Sequence, residues 1–281
     1  MPFITTVITG ATSGIGRETA LALAKKGHAV YMLVRNIEKG EEVKEEIISV
    51  SKNKSVYVIH CDLADLQSIR NAADILRSSL LGINVLINNG GGIFAKREES
   101  VNGHEMTFAV NHLGHFMLVQ CLLPLLERGQ ARIINVSSEA HRYTDVKIND
   151  LDWRTRPYSA WKAYGNAKLF NIYFTRSLAT KYGTKGISAF AVHPGLVNTS
   201  FGSEIGGLGK LLLWLTRPFM ITAETSALAL VYLATAQRID SKSGQYFKGR
   251  HPVNPSAKAV DEKCRQKLWD LSLDMIKSFN V

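Results

Sequence analysis

A tyrosine four residues before a lysine places a phenol and an ammonium on one face of a helix. The stretch PYSAWKAYGNAK contains that spacing twice, as Tyr158/Lys162 and as Tyr164/Lys168. An ammonium beside a phenol favours the phenolate and lowers the phenol's pKa, which makes either pair a candidate acid/base. Upstream, Ser137 and Ser138 are adjacent at the end of a β-rich run. Strand side chains alternate faces, so only one of the two can point at a common site. Near the N-terminus, TGATSGIGRETA sets Gly10, Gly14 and Gly16 between a strand-like run and a helix-like one. Glycines there permit a tight turn and close backbone approach to a pyrophosphate. The free N–H groups and positive dipole end of the following helix face that anion.

Other residues carry weaker signals. Dinucleotide sites that bind NAD place a carboxylate at the tip of the second strand, on the ribose hydroxyls. Here that tip reads Leu33-Val34-Arg35-Asn36. Arg35 offers a guanidinium suited to bidentate contact with a phosphate, so NADP(H) is expected over NAD(H), with Ser13 and Lys39 able to assist. His112 and His115 lie at i and i+3 on a predicted helix, but no carboxylate or third ligand accompanies them, and no metal site is read. His141 and His193 are candidate substrate contacts.

These groups need elements to position them, and strand and helix patterns alternate along the whole chain. Strands are expected at Ile4–Thr9, Ala29–Val34, Ser55–His60, Ile83–Asn88, Arg132–Ser137, Ile187–His193 and Gly244–Phe247. Helices are expected at Ile15–Lys26, Asn36–Val50, Asp65–Leu80, Gly103–Leu126, Ala160–Tyr182, Thr222–Thr235 and Ala257–Lys277. Seven strands separated by such helices indicate an α/β fold, a doubly wound parallel sheet with helices on both faces. No repeat or linker divides residues 1–281, so one domain is expected. Two segments, 139–156 and about 196–222, fit neither pattern. Each follows a strand on the carboxyl side, where open α/β sheets bind ligands.

The chain has 281 residues, 46% hydrophobic, with a formal net charge of +10. Its basic residues are dispersed with no run of five, which speaks against nucleic-acid binding. Cys61, Cys121 and Cys264 are far apart in sequence and odd in number, as expected of reduced thiols rather than a disulfide framework or zinc site. MPFITTVITG enters a strand pattern directly, without the basic and apolar regions of a signal peptide. No apolar run approaches the roughly 20 residues of a spanning helix. A cytoplasmic protein is expected, with no integral membrane segment.

TGATSGIG at 9–16, Asp62-Leu63, NNGG at 88–91, Asn111, Ser138, Tyr164/Lys168 and PGLVNT at 194–199 occur in the order seen in the short-chain dehydrogenase/reductase family. The resemblance covers nearly the whole chain. Within the family the chain looks most like the retinol dehydrogenase branch, through VRNIEKGEE, NHLGHF at 111–116, AVHPGLVNT at 191–199, the insertion before Tyr164 and the C-terminal pattern. NNGG replaces the more usual NNAG, with Gly92 as a third glycine, and a looser loop beside the nicotinamide is expected.

The resemblance implies a fold of Rossmann type and an NADP(H)-dependent oxidoreductase acting on CH–OH and carbonyl groups. Tyr164 would be the acid/base, with its pKa lowered by Lys168, which also bonds the nicotinamide ribose. Tyr158 and Tyr164 are six residues apart, about 240° around a helix, so one pair alone can face the cofactor. The family pattern selects Tyr164/Lys168, leaving Tyr158 to line the substrate mouth or the surface. It selects Ser138 to orient the substrate oxygen, and Asn111 to hold a water relaying protons to Lys168. For the cofactor it implies Gly10, Ser13, Gly14, Ile15 and Gly16 at the turn and Arg35 at the phosphate. Asp62 and Leu63 would meet the adenine, Asn88 and Gly90 the ribose, and Pro194, Gly195, Val197 and Thr199 the nicotinamide amide.

The segment SFGSEIGGLGKLLLWLTRPFMI combines glycines with an apolar stretch at Leu211–Leu215. It can be a lid over a lipophilic alcohol, aldehyde or ketone, an oligomer contact, or a peripheral membrane contact. The family implies a homodimer or homotetramer through the helices at Gly103–Leu126 and Ala160–Tyr182. The alternative to an enzyme is a non-catalytic NADP(H)-binding sensor, and the joint presence of Ser138, Tyr164 and Lys168 argues against it.

Overall fold

The computed structural model describes residues 4–195 and 221–279. Eight strands form one sheet: β1 (Thr5–Thr9), β2 (Ala29–Val34), β3 (Val56–His60), β4 (Val85–Asn88), β5 (Arg132–Val136), β6 (Ser188–His193), β7 (Tyr246–Lys248) and β8 (His251–Val253). The helices are α1 (Gly14–Lys25), α2 (Ile37–Ser51), α3 (Leu66–Ser79), α4 (Met106–Arg128), α5 (Ala160–Tyr182), α6 (Ala223–Thr235) and α7 (Glu262–Ile276). The strand order is β3-β2-β1-β4-β5-β6-β7-β8, parallel throughout except for the last pair.

Side-chain alternation along the central strands builds two cores. Val7, Leu86 and Ile133 pack on one face with α3, α4, α5 and α7, and Ile8, Ile87 and Ile134 on the other with α1, α2 and α6. The near-continuous apolar strands follow from burial on both faces. Local signals set several edges: Asn36 caps α2 by accepting from the Lys39 N–H at 2.8 Å, and Asp65 caps α3 through the Gln67 N–H at 2.9 Å.

Two details differ from expectation. Among the described residues the sheet has eight strands where about seven are expected, because Gly249 turns β7 back into a short antiparallel β8. The helix expected at Gly103–Leu126 begins at Met106 and is interrupted by a π turn at Ala109–Leu113. The C-terminal helix α7 packs on the two long helices, α4 and α5. Trp269 packs on Phe116 at 5.0 Å and Phe174 at 6.1 Å between ring centroids, and Ser272 lies 3.1 Å from His112 Nε2. Most of the middle of α5 is buried within the chain itself. Among the described residues only α4 is long and apolar enough to cross a membrane, and it is mostly buried by its neighbours.

Between β1 and β4 the direction of strand progression reverses, which opens the crevice where sheets of this type bind dinucleotides. The turn after β1 and the loop after β4 border that crevice. The insertion 139–156 lies over the first turns of α5, where Asn166 exchanges two hydrogen bonds with the Asp145 backbone, at 3.0 and 3.1 Å.

Candidate active site

Gly10 adopts φ +67°, a conformation costly for any side chain bearing a Cβ, and so turns the chain from β1 towards α1. At Gly16 a Cβ would stand 2.1 Å from the Gly10 carbonyl oxygen, so only glycine lets the helix sit this close to the turn. Gly14 opens α1, and Ile15 packs part of its side chain against the core beneath. Ser13 precedes the helix without capping it through its side chain, which leaves its exposed hydroxyl free beside the helix N–H groups. Arg35, just past β2, is exposed and makes no ion pair with any described residue. Bare backbone and a helix N-terminus suit the phosphates of a dinucleotide.

Asp62 is not a helix cap. It accepts from the Ala64 N–H at 2.9 Å and keeps a second carboxylate oxygen for other partners, with the partly buried Leu63 beside it. Asn88 differs from expectation. Its side chain is buried and donates to Asn135 Oδ1 at 2.7 Å, so it braces the sheet. The side chain that anchors the loop is that of Asn89, whose Nδ2 donates to the Thr9 and Gly10 carbonyls at 3.0 and 3.1 Å. Gly90 donates its N–H to Thr9 Oγ1 at 2.9 Å. Asn111 holds the far end of the same loop, with Nδ2 donating to the Gly92 carbonyl at 2.8 Å and Oδ1 accepting from the Gly92 N–H at 3.2 Å. The expected loosening by three glycines is therefore opposed by ties at both ends.

Asn111 sits in the π turn, where the Gly114 N–H reaches back five residues to the Ala109 carbonyl. Its second Nδ2 proton goes to the Thr107 carbonyl at 2.9 Å. One asparagine thus steadies both the altered helical turn and the loop. Pro194 and Gly195 follow β6, with Gly195 at φ +111°. Val197, Thr199 and almost all of the proposed lid lie outside the described residues.

The reacting groups converge from β5 and α5. Ser137 is buried and donates to the Lys168 carbonyl at 2.7 Å, which ties the strand end to the helix. Ser138 points the other way, accepts from the Ala140 N–H at 3.2 Å and hydrogen-bonds the Tyr164 phenol. Tyr164 is 9% exposed. The Lys168 ammonium lies 5.3 Å from the centre of its ring and donates to the Val136 carbonyl at 3.1 Å. Asn171, unnoticed in the sequence, donates to that same carbonyl at 3.0 Å.

Burial pushes the Tyr164 phenol up, and the bond to Ser138 only partly opposes this. The Lys168 ammonium lies over the ring face and directs a hydrogen bond to the Val136 carbonyl. Burial also lowers Lys168 itself, to about 8. The site at rest therefore holds a protonated phenol beside a lysine that titrates near the neutral range.

Tyr158 precedes α5 and is half-buried. Its hydroxyl donates to Glu105 Oε1 at 2.9 Å and lies 3.0 Å from Thr107 Oγ1, while Lys162 is exposed near Asp145. The pair is therefore not assembled. His141 is buried and linked to the Ser138 carbonyl at 2.7 Å and the Ser256 N–H at 3.0 Å, so both ring nitrogens are engaged. His193, at the end of β6, is held down to about 4 by burial.

A family model described as short chain dehydrogenase matches residues 5–206. Retinol dehydrogenase 12 from Mus musculus is 39% identical over 274 residues, covering 96% of this chain and 85% of that protein. Retinol dehydrogenase 11 from Homo sapiens is 36% identical, covering 98% and 86% respectively. Among solved structures, an uncharacterized protein from Mycobacterium Paratuberculosis superposes with a TM-score of 0.79 at 33% identity, covering 97% of this chain and 93% of its own.

Proposed function

Since the chain belongs to the short-chain dehydrogenase/reductase family, in its retinol dehydrogenase-like branch, and is an oxidoreductase of alcohol and carbonyl groups, we propose that it uses NADP(H) and interconverts a lipophilic alcohol with its aldehyde or ketone. The observation that carries the catalytic part is the meeting of the Tyr164 phenol and the Ser138 hydroxyl, with the Lys168 ammonium over the ring.

When bound, the nicotinamide supplies or accepts the hydride. Tyr164 supplies the proton. Its raised pKa keeps the phenol protonated through neutral pH, so it is ready to donate to a carbonyl oxygen that gains negative charge. Ser138 receives a hydrogen bond from Ala140 and so keeps its own proton to orient the same oxygen. Lys168 uses one N–H on Val136 and retains two donors for a ribose hydroxyl and a proton route. Both Nδ2 protons of Asn111 are engaged, so it can hold a relay water only as an acceptor.

Arg35 is assigned to the 2′-phosphate because it is exposed beside the crevice and pairs with no described residue. By contrast, Arg17 in the first turn of α1 is bound to Glu18 and Glu46. The lipophilic substrate class rests on the retinol dehydrogenases among the relatives and on the apolar Leu211–Leu215 stretch. The test is NADPH oxidation against a panel of aliphatic and aromatic aldehydes, ketones and retinal. Turnover that rises with chain length or ring number supports the assignment. A preference for short polar carbonyls contradicts it.

A further inference from the structure

His115 lies one turn after Asn111 on α4 and is 1% exposed. Its Nδ1 is 3.3 Å from the Asn111 carbonyl oxygen and its Nε2 is 2.9 Å from Thr9 Oγ1. The direction of each bond follows from its neighbours. Thr9 Oγ1 accepts the N–H groups of Asn89 at 3.0 Å and Gly90 at 2.9 Å, and neither donor can act otherwise. The one proton of Thr9 is left for a partner, and His115 Nε2 is closer than the Ile87 carbonyl at 3.4 Å. Nε2 is thus the acceptor. Nδ1 then carries the ring proton and donates it to the Asn111 carbonyl. Burial, with the Lys168 charge in the same region, holds the ring down to about 3, so it stays neutral and keeps this tautomer.

The result is a chain with one sense: Asn89 and Gly90 N–H to Thr9, Thr9 to His115, His115 to Asn111. The Asn111 side chain meanwhile grips Gly92. The loop after β4 is therefore held at both ends from a single turn of α4. We propose that His115 is a positioning residue that fixes the cofactor loop against the π turn carrying Asn111. This inference rests on the reading of that loop as part of the NADP(H) site. A helical histidine used only for packing would need neither ring nitrogen, whereas here both have partners.

The test is a double-mutant cycle on Thr9 and His115, read by NADPH affinity from fluorescence quenching and by kcat with the best aldehyde of the panel. His115→Phe is expected to weaken NADPH binding and lower kcat, together on the order of tenfold. Thr9→Val should do more, because it also strands two backbone N–H groups. The double variant should be no worse than Thr9→Val alone, since both changes break one chain. His115→Gln, which can accept from Thr9 but cannot reach the Asn111 carbonyl, should restore NADPH affinity more than kcat. Folding of each variant is checked by its circular dichroism melt. Additive losses, or a folded His115→Phe with wild-type affinity and kcat, would overturn the proposal. NADPH affinity requires no turnover, so the result stays distinct from any failure of the Tyr164 mechanism.

Discussion

The Ser137 hydroxyl donates a 2.7 Å hydrogen bond to the backbone carbonyl of Lys168. This bond fixes the end of β5 against the middle of α5, and the next residue, Ser138, thereby meets the Tyr164 phenol. Two adjacent serines do different work, and substitution separates them. Ser138→Ala should reduce kcat by about 10²-fold or more, as for removal of a donor to a developing oxyanion, with little change in stability. Ser137→Ala removes the second donor to a buried helix carbonyl and should cost about 0.5–1.5 kcal/mol in a urea unfolding experiment. Equal kcat losses for the two variants would refute the division.

Arg35 is free to take a phosphate, which gives a prediction about the cofactor. Arg35→Asp removes a charge-assisted bond and places a carboxylate where ribose hydroxyls would lie. The ratio of kcat/KM for NADPH over NADH should fall by about 10–100-fold. An unchanged ratio would return Arg35 to the solvated surface.

The pH dependence follows from Lys168. Its pKa is lowered by burial to about 8, so the ammonium is present below that pH and lost above it. Tyr164 is shifted upward and remains protonated across this range. The rate of carbonyl reduction should therefore be flat below neutrality and fall by about tenfold per pH unit once Lys168 has lost its proton. Lys168→Met should lower the plateau and abolish that limb. A limb that persists in Lys168→Met must come from another group.

Tyr158 shares the spacing of the reactive tyrosine but none of its surroundings. Its hydroxyl joins Glu105, Thr107 and the Phe94 carbonyl, at the base of the π turn. Tyr158→Phe should keep kcat within about threefold and lower stability by about 1–2 kcal/mol, because buried acceptors lose a donor. A catalytic collapse with an unchanged melt would reverse this assignment.

Much of this arrangement could be read before the fold was seen. A continuous apolar run marks β2 at Ala29–Val34 without error, and the Asn36 cap sets the start of α2. The glycine turn and the Tyr164/Lys168 pair depend on local spacing, and Ser138 meets that pair where β5 and α5 pack together. What escaped depends on tertiary contacts. Strand β8 is three exposed residues around Pro252, with no buried alternation to reveal it. The π turn shifts the hydrogen-bond ladder without disturbing the apolar pattern of α4. Asn88 and Asn89 are indistinguishable in a loop motif, yet the strand pleat sends the first into the sheet and leaves the second on the glycine turn. The upward shift of Tyr164 also needs the fold, because it arises from burial rather than from the lysine four residues away.

The central claim is that Tyr164 gives the substrate oxygen its proton. Single-turnover NADPH oxidation with the best aldehyde or ketone, comparing wild type with Tyr164→Phe at matched NADPH occupancy, tests it most directly. The phenylalanine ring keeps the packing between Ile93 and α5 while removing the hydroxyl that meets Ser138. The expected result is unchanged cofactor affinity with a hydride-transfer rate reduced by about 10²–10⁴-fold. A variant that binds NADPH and reduces the substrate at the wild-type rate would contradict the account.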